Sequence, residues 1–266
     1  MNRSEAKPAA MGTLAWGEAN AGELAAAERC RLLGNLAYVQ MLETLDFLGQ
    51  RLGLLRPTDT PLEALMPPQT ALVADALELA TTTHQQALIL HSWRTYFFGA
   101  MLAKQERIEF DKSIFFASAI LHDVGLTDDH SPTLCARCFA ISGGERVHQY
   151  LIAKGHPPEL GRNVGDAIAL HLNAWVSKRR HGAEAHLLSR GAFCDLFGAG
   201  RRRLTQRSLE QVLTRFPRDG VIDALKFETA NHRQGTRAAI MTGISGGKAP
   251  PDPFQHVSGE RRDLRD

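Results

Sequence analysis

Five side chains in this sequence have the types and positions for metal chemistry: His91, His122, Asp123, His171 and Asp195. The pair His122-Asp123 closes an apolar run over residues 115–121, and Gly125 opens the loop behind it. A carboxylate at the end of such a run is costly to bury unless it is paired or bound to a cation. An imidazole nitrogen and a carboxylate oxygen side by side can both reach one ion. The same dipeptide also suits a helix C-terminus at the surface, where a His is favourable. Alone, the pair leaves both readings open.

The other three interrupt apolar stripes. Leu88, His91, Thr95, Phe98 and Leu102 recur at steps of three and four, as on one face of a helix. Val164, Ile168 and His171 share a second face, and Leu188, Ala192 and Asp195 a third. A single His on such a stripe is usually a hydrogen-bonded core residue. If the stripes converge, His91, His122, Asp123 and Asp195 supply two imidazoles and two carboxylates, a set that suits Zn first, or Mn or Fe, in the 2+ state with room for water. Such a cation would stabilise both acids in the interior and lower the pKa of its water toward ~7. His171 would then be free to take or give a proton.

Helices must position these groups. The pattern predicts an all-α fold, with a long helix over residues 21–53, broken near Gly34, and helices over 69–82, 83–105, 113–123, 143–154, 161–172, 183–197, 209–216 (capped by Ser208) and 219–231. Residues 1–20 read as irregular and 127–138 as a loop. The chain divides into an N-terminal, largely helical extension packed on the core (1–60), a catalytic helical domain (61–235) and a flexible C-terminal tail (236–266) rich in Gly, Pro and charge.

Composition excludes several classes. With 266 residues, 44% hydrophobic and 23% charged, the chain can bury a substantial core. A net charge of +2 gives no footprint for nucleic acid. No apolar run approaches the ~20 residues of a membrane span, and residues 1–10 lack the apolar core of a signal peptide. Four cysteines make no disulfide framework in a chain of this length. The expectation is a cytoplasmic protein acting on a small-molecule substrate, with neither nucleic acid nor membrane as partner and homo-oligomerisation left open. Lys178-Arg179-Arg180 and Arg201-Arg202-Arg203 read as solvated loop edges or the rim of a pocket. Cys135-Ala136-Arg137-Cys138, with His130 near, is a lone Cys-x-x-Cys without the second pair that a structural zinc site needs.

The order His91…His122-Asp123…Asp195 resembles the His…His-Asp…Asp signature of HD-domain metalloenzymes, over roughly residues 60–230. That resemblance implies an all-helical bundle, a central metal and hydrolytic chemistry, most often on phosphate esters. In finer detail, the run from His91 to Phe98 resembles the His-Ser-x-Arg-x-Tyr-x-Phe segment of the cyanamide hydratase-like branch. Leu121–Thr127, Ala167–His171 and Gly191–Gly198 are similar to its later segments. The branch implies one divalent metal, catalytic His171, substrate contacts from Arg94, Thr127 and Phe139, and hydration or hydrolysis of a small nitrogen-containing substrate. A phosphohydrolase acting on a phosphomonoester or nucleotide is the alternative.

Three positions depart from these patterns. Phe139 stands where two-metal HD enzymes carry a metal-binding His, which favours a single ion. His148, one turn beyond Gly144, is the candidate substitute and otherwise an ordinary outward His. Ala140 replaces the branch's Glu, which puts cyanamide itself in doubt, and Leu126 stands where many phosphohydrolases carry a phosphate-binding Lys. Arg94 could meet an anion if it points inward, or pair elsewhere.

Overall fold

The computed structural model describes residues 9–127, 136–225, 231–244, 246, 248 and 251–259. Its helices are α1 (Leu14–Asn20), α2 (Ala26–Arg51), α3 (Ala71–Thr83), α4 (Gln86–Glu106), α5 (Lys112–Leu121) and α6 (Phe139–Ala153). There follow α7 (Pro158–Leu170), α8 (Lys178–His181), α9 (Ala183–Phe197), α10 (Gln206–Arg215), α11 (Val221–Ala224), α12 (Arg237–Ile244) and α13 (Gln255–Gly259). Among the described residues there is no strand, only two isolated bridges, so the fold is all-α as expected. No helix among them is long and apolar enough to cross a membrane.

The bundle is built round α4. Every residue from His91 to Ala103 except Trp93 is buried, so this helix is covered on all sides rather than along one stripe. It packs on α9 and α5, while α6 packs on α7 and α3 on α5. The α4–α9 approach depends on Gly191. A Cβ there would lie 2.1 Å from the Thr95 carbonyl oxygen and 3.1 Å from the Gly99 nitrogen. Gly191→Ala should therefore push the two helices apart and cost about 1–3 kcal/mol or more. Urea unfolding would measure this, and a loss under 0.5 kcal/mol would show that the contact yields.

Several boundaries differ from the sequence expectation. The N-terminal twenty residues are not all irregular, because Thr13 caps α1 by accepting from the Trp16 amide, and Met11, Leu14 and Trp16 enter the core. Helix α2 runs unbroken through Gly34, which no other described residue approaches within 4 Å of a Cβ built there. Thr205, not Ser208, caps α10; Ser208 lies inside it and donates its hydroxyl to Asp59 at 2.9 Å. Residues 221–224 alone are helical in the stretch predicted to run over 219–231, whose positions 226–230 lie outside the described residues. The C-terminal segment, expected as a flexible tail, contributes α12 and a fully buried Phe254 stacked on Phe98. Its apolar residues are spaced too irregularly to read as an amphipathic helix, yet they cover the end of the bundle.

The basic run over residues 201–203 is not a solvated edge. Arg203 makes a bidentate pair with Asp46 (2.7 and 2.9 Å) and reaches Glu106, while Arg202 reaches Glu43. These bonds fasten α2 to the turn after α9. The far side of α2 stays exposed, with Leu33, Met41, Leu45, Leu48 and Leu52 in solvent.

Candidate metal centre

Four elements bring the predicted groups to one place. His91 comes from the second turn of α4, buried on the stripe that its neighbours define. His122 is the C-cap of α5, whose other end is fixed by Asp111 accepting from the Ser113 and Ile114 amides. Asp123 begins a single 3₁₀ turn, Val124–Leu126. His171 caps the C-terminal end of α7. Gly125 lets this turn lie against the first residue of α6, since a Cβ there would sit 2.1 Å from the Phe139 carbonyl oxygen.

The three innermost ligand atoms form a small triangle. His122 Nε2 lies 3.2 Å from His91 Nε2 and 3.0 Å from Asp123 Oδ2, and His91 Nε2 lies 3.4 Å from that oxygen. The edge of a tetrahedron of N and O ligands held about 2 Å from a zinc ion is about 3.3 Å. Protonation supports the same reading. His122 Nδ1 donates to the Ala119 carbonyl at 2.8 Å, and His91 Nδ1 donates to Asp195 Oδ2 at 2.6 Å. Each Nε2 is thereby left to offer a lone pair to the shared point. Asp123 Oδ2 is buried and accepts no hydrogen bond despite both imidazoles nearby. Two imidazole lone pairs and an orphaned carboxylate oxygen in the dry interior repel one another unless a cation sits between them. The donor set fits a divalent transition metal.

Charge reinforces this. Burial works against ionised Asp123, but His122 and His91 outweigh it and hold the carboxyl well below the ordinary range. Burial also pushes the His91 imidazolium down, and Asp123 and Asp195 more than reverse it. A proton and a metal therefore compete for the His91 nitrogen.

The expected fourth ligand, Asp195, is placed differently. It sits behind His91, on the ring nitrogen opposite the shared point. Arg94 grips it from Nε (2.7 Å) and Nη2 (3.0 Å), and Arg218 also donates to Oδ1. Burial opposes the charge, and Arg94, His91 and Arg218 overcome it, so this carboxyl too is held far below its usual range. The ion-capable cluster is His91, His122 and Asp123. Asp195 orients the first of them, as partners behind metal-binding histidines commonly do.

His171 joins from the side. Its Nε2 is 3.7 Å from Asp123 Oδ1, and its ring meets His122 edge-on. Nδ1 donates to the Ile168 carbonyl at 2.6 Å. Burial, helped by His122, pushes the pKa down to about 3, so the ring is neutral near pH 7 and Nε2 presents a lone pair.

The expected substrate contacts separate. Phe139 lines the pocket over the cluster, 5.7 Å ring to ring from His171. Arg94 does not reach it. Besides Asp195, it donates to the Phe216 and Pro217 carbonyls, and it is fully buried. Thr127 closes its own turn by donating to the Val124 carbonyl at 2.8 Å and does not line the pocket. His148 faces α7, with Nδ1 3.0 Å from where a Cβ on Gly161 would be, and is not part of the cluster. Of the Cys-x-x-Cys pair, Cys138 is buried beside the Arg237 guanidinium; Cys135 and His130 lie outside the described residues.

Two further histidines, to which the sequence assigns no role, lie by the site. His84 is buried, its Nε2 without a hydrogen-bond partner, and burial pushes its pKa down to about 4, although the Asp123 charge opposes this. It ends α3 in an extended conformation, off the helix that carries His91, so helical spacing gave no signal for it. His232 lines the pocket beside Phe139, and nothing in its flanking sequence marks it.

Residues 88–214 match the family model of the HD domain. The match carries His91, His122, Asp123, His171 and Asp195 and supports the resemblance to HD-domain proteins. HD domains are generally metal-dependent hydrolases that bind a divalent metal, and the buried triangle of His91, His122 and Asp123 could hold such an ion. No curated protein matches the chain.

Proposed function

We propose that the chain is an HD-domain enzyme that activates water for hydrolysis or hydration of a small substrate at a single metal centre. The observation that carries the reading is the convergence of the His91 and His122 Nε2 atoms, each ring's Nδ1 engaged by another partner, and an orphaned Asp123 oxygen beside neutral His171, at the floor of a pocket. When bound, a divalent ion supplies a Lewis acid and a water that ionises near neutral pH. Zinc is our first choice from the nitrogen and oxygen donors, with iron and manganese as alternatives.

The chain's own groups then divide the work. Asp195, locked by Arg94 and Arg218, keeps the His91 ring in the tautomer whose Nε2 is free. The Ala119 carbonyl does the same for His122. His171 Nε2, unprotonated and beside Asp123, is placed to accept a proton from attacking water and return it to the product. The finer reading is a cyanamide hydratase-like reaction on a compact nitrogen-containing molecule such as a nitrile or amide. Its support is the His91–Phe98 run and Phe139 at the position of a second-metal ligand. Phosphomonoester hydrolysis has less support, because Arg94 is committed to Asp195 and Leu126 is aliphatic.

The test is metal analysis followed by assays of zinc-, iron- and manganese-loaded protein on nitriles, amides, esters and phosphomonoesters. One ion per chain and turnover of a neutral substrate are expected. Two ions per chain, or turnover confined to phosphate esters, would overturn the reading. His171→Gln should lower kcat by about 10²–10⁴-fold while leaving metal content unchanged. An unaltered kcat would remove His171 from the proton path.

A further inference from the structure

We infer that the pocket selects an uncharged substrate with a hydrocarbon portion, its reactive polar end on the metal floor. This deepens the reading above and rests on it for the orientation of the polar end. The pocket is narrow, with a cavity volume of about 60 Å³. His91, His122, Asp123 and His171 form its floor, and the other polar groups in its described lining are His232, against the Phe139 ring, and Thr242. The walls are supplied by Phe139, Leu172, Phe193, Leu196, Leu225 and Met241, from α6, the turn after α7, α9, the residue after α11, and α12. Thr242 is also in the lining, and it donates its hydroxyl back to the Ala238 and Ala239 carbonyls of its own helix.

No Lys or Arg occurs in the described lining, and Arg94, Arg218 and Arg237 are committed elsewhere. Arg94 and Arg218 hold Asp195. Arg237 donates to Asn173 Oδ1 at 2.7 Å and toward the Cys138 sulfur, with its guanidinium over the Trp16 ring. An anionic phosphate entering these walls would lose its hydration and gain no guanidinium in return. A hydrocarbon group loses nothing polar and gains about three- to fourfold in affinity for each methylene it buries.

The experiment is calorimetric titration of n-alkyl hydroxamates, acetyl to octanoyl, and of the matching carboxamides. Both series go into zinc-loaded and metal-stripped full-length protein. In both forms affinity should rise about three- to fourfold per methylene and then level off as the walls fill. The hydroxamates should exceed the carboxamides only with zinc. Affinity independent of chain length overturns the inference, even if the hydroxamate advantage confirms the metal floor. Chain-length dependence without that advantage upholds the walls and sinks the metal reading instead. Inorganic phosphate binding more tightly than butanamide to the zinc form also overturns it. Met241→Glu, at a half-buried position in the lining, should weaken the octanoyl probe at least tenfold more than the acetyl one. Equal weakening of both would count against a hydrocarbon wall at this position.

Discussion

Asp123→Asn should abolish metal retention and reduce activity at least a thousandfold, the largest loss expected for any single isosteric change in the molecule. The amide keeps the shape of the carboxylate and removes its charge, and its oxygen is a poor ligand for a divalent ion. Two imidazoles would remain, His91 and His122, with Nε2 atoms 3.2 Å apart. Elemental analysis after dialysis would measure the loss. Thermal unfolding supplies a second readout, because a metal that binds only the folded state adds about 4 kcal/mol of stability when present at a thousand times its Kd. The wild-type Tm should rise with added zinc and that of Asp123→Asn should not. A variant that still held one zinc per chain would place the ion elsewhere. Acid should weaken metal binding in the wild type, since protons compete for His91, whose affinity for them is raised by Asp123 and Asp195.

Asp195→Asn should act first on the fold and only then on the metal. Its carboxylate is fully buried and neutralises Arg94, which is itself fully buried, together with part of Arg218. Removing one partner of a buried ion pair costs about 3–5 kcal/mol because the other charge stays behind unpaired. That loss should appear in urea unfolding of metal-free protein. A direct metal ligand would behave in the opposite way, with little change in the metal-free protein and a large drop in metal affinity. Arg94→Met added to Asp195→Asn should recover part of the stability by removing the stranded cation. The pH dependence has a defined sign. The folded-state pKa of Asp195 lies below the ordinary carboxylate value of 3.8, so its contribution is full above about pH 4 and is lost as the pH falls through the folded-state value. The wild type should lose this increment in acid, and Asp195→Asn should lack it at every pH.

Much of the site could be read before any coordinates. Stripe periodicity located His91, His171 and Asp195 on apolar faces, and the apolar run ending in His122-Asp123 located the pair. All five are buried. Periodicity reports which face of a helix a residue occupies and cannot report which atom of its side chain faces the neighbour. Asp195 is the clearest example. Its place on the inner face of α9 was legible, but its position behind His91 was not, because that depends on two arginines twenty-three or more residues away, at positions 94 and 218.

Residue types and spacing by themselves determined the all-helical fold, the resemblance to the HD signature and the imidazole and carboxylate character of the site. Those properties follow from local helix periodicity and from the cost of burying ionisable groups. Tertiary structure alone decided that three atoms meet within 3.4 Å while a fourth acid stands back, and that Arg94 holds a carboxylate rather than a substrate. It also decided that Leu225, His232 and Met241, from the C-terminal end of the chain, wall the pocket. Such outcomes depend on how closely helices approach, through contacts such as Gly191 on Thr95 and Gly125 on Phe139, and a distance between helices far apart in the chain leaves no trace in their separate periodicities.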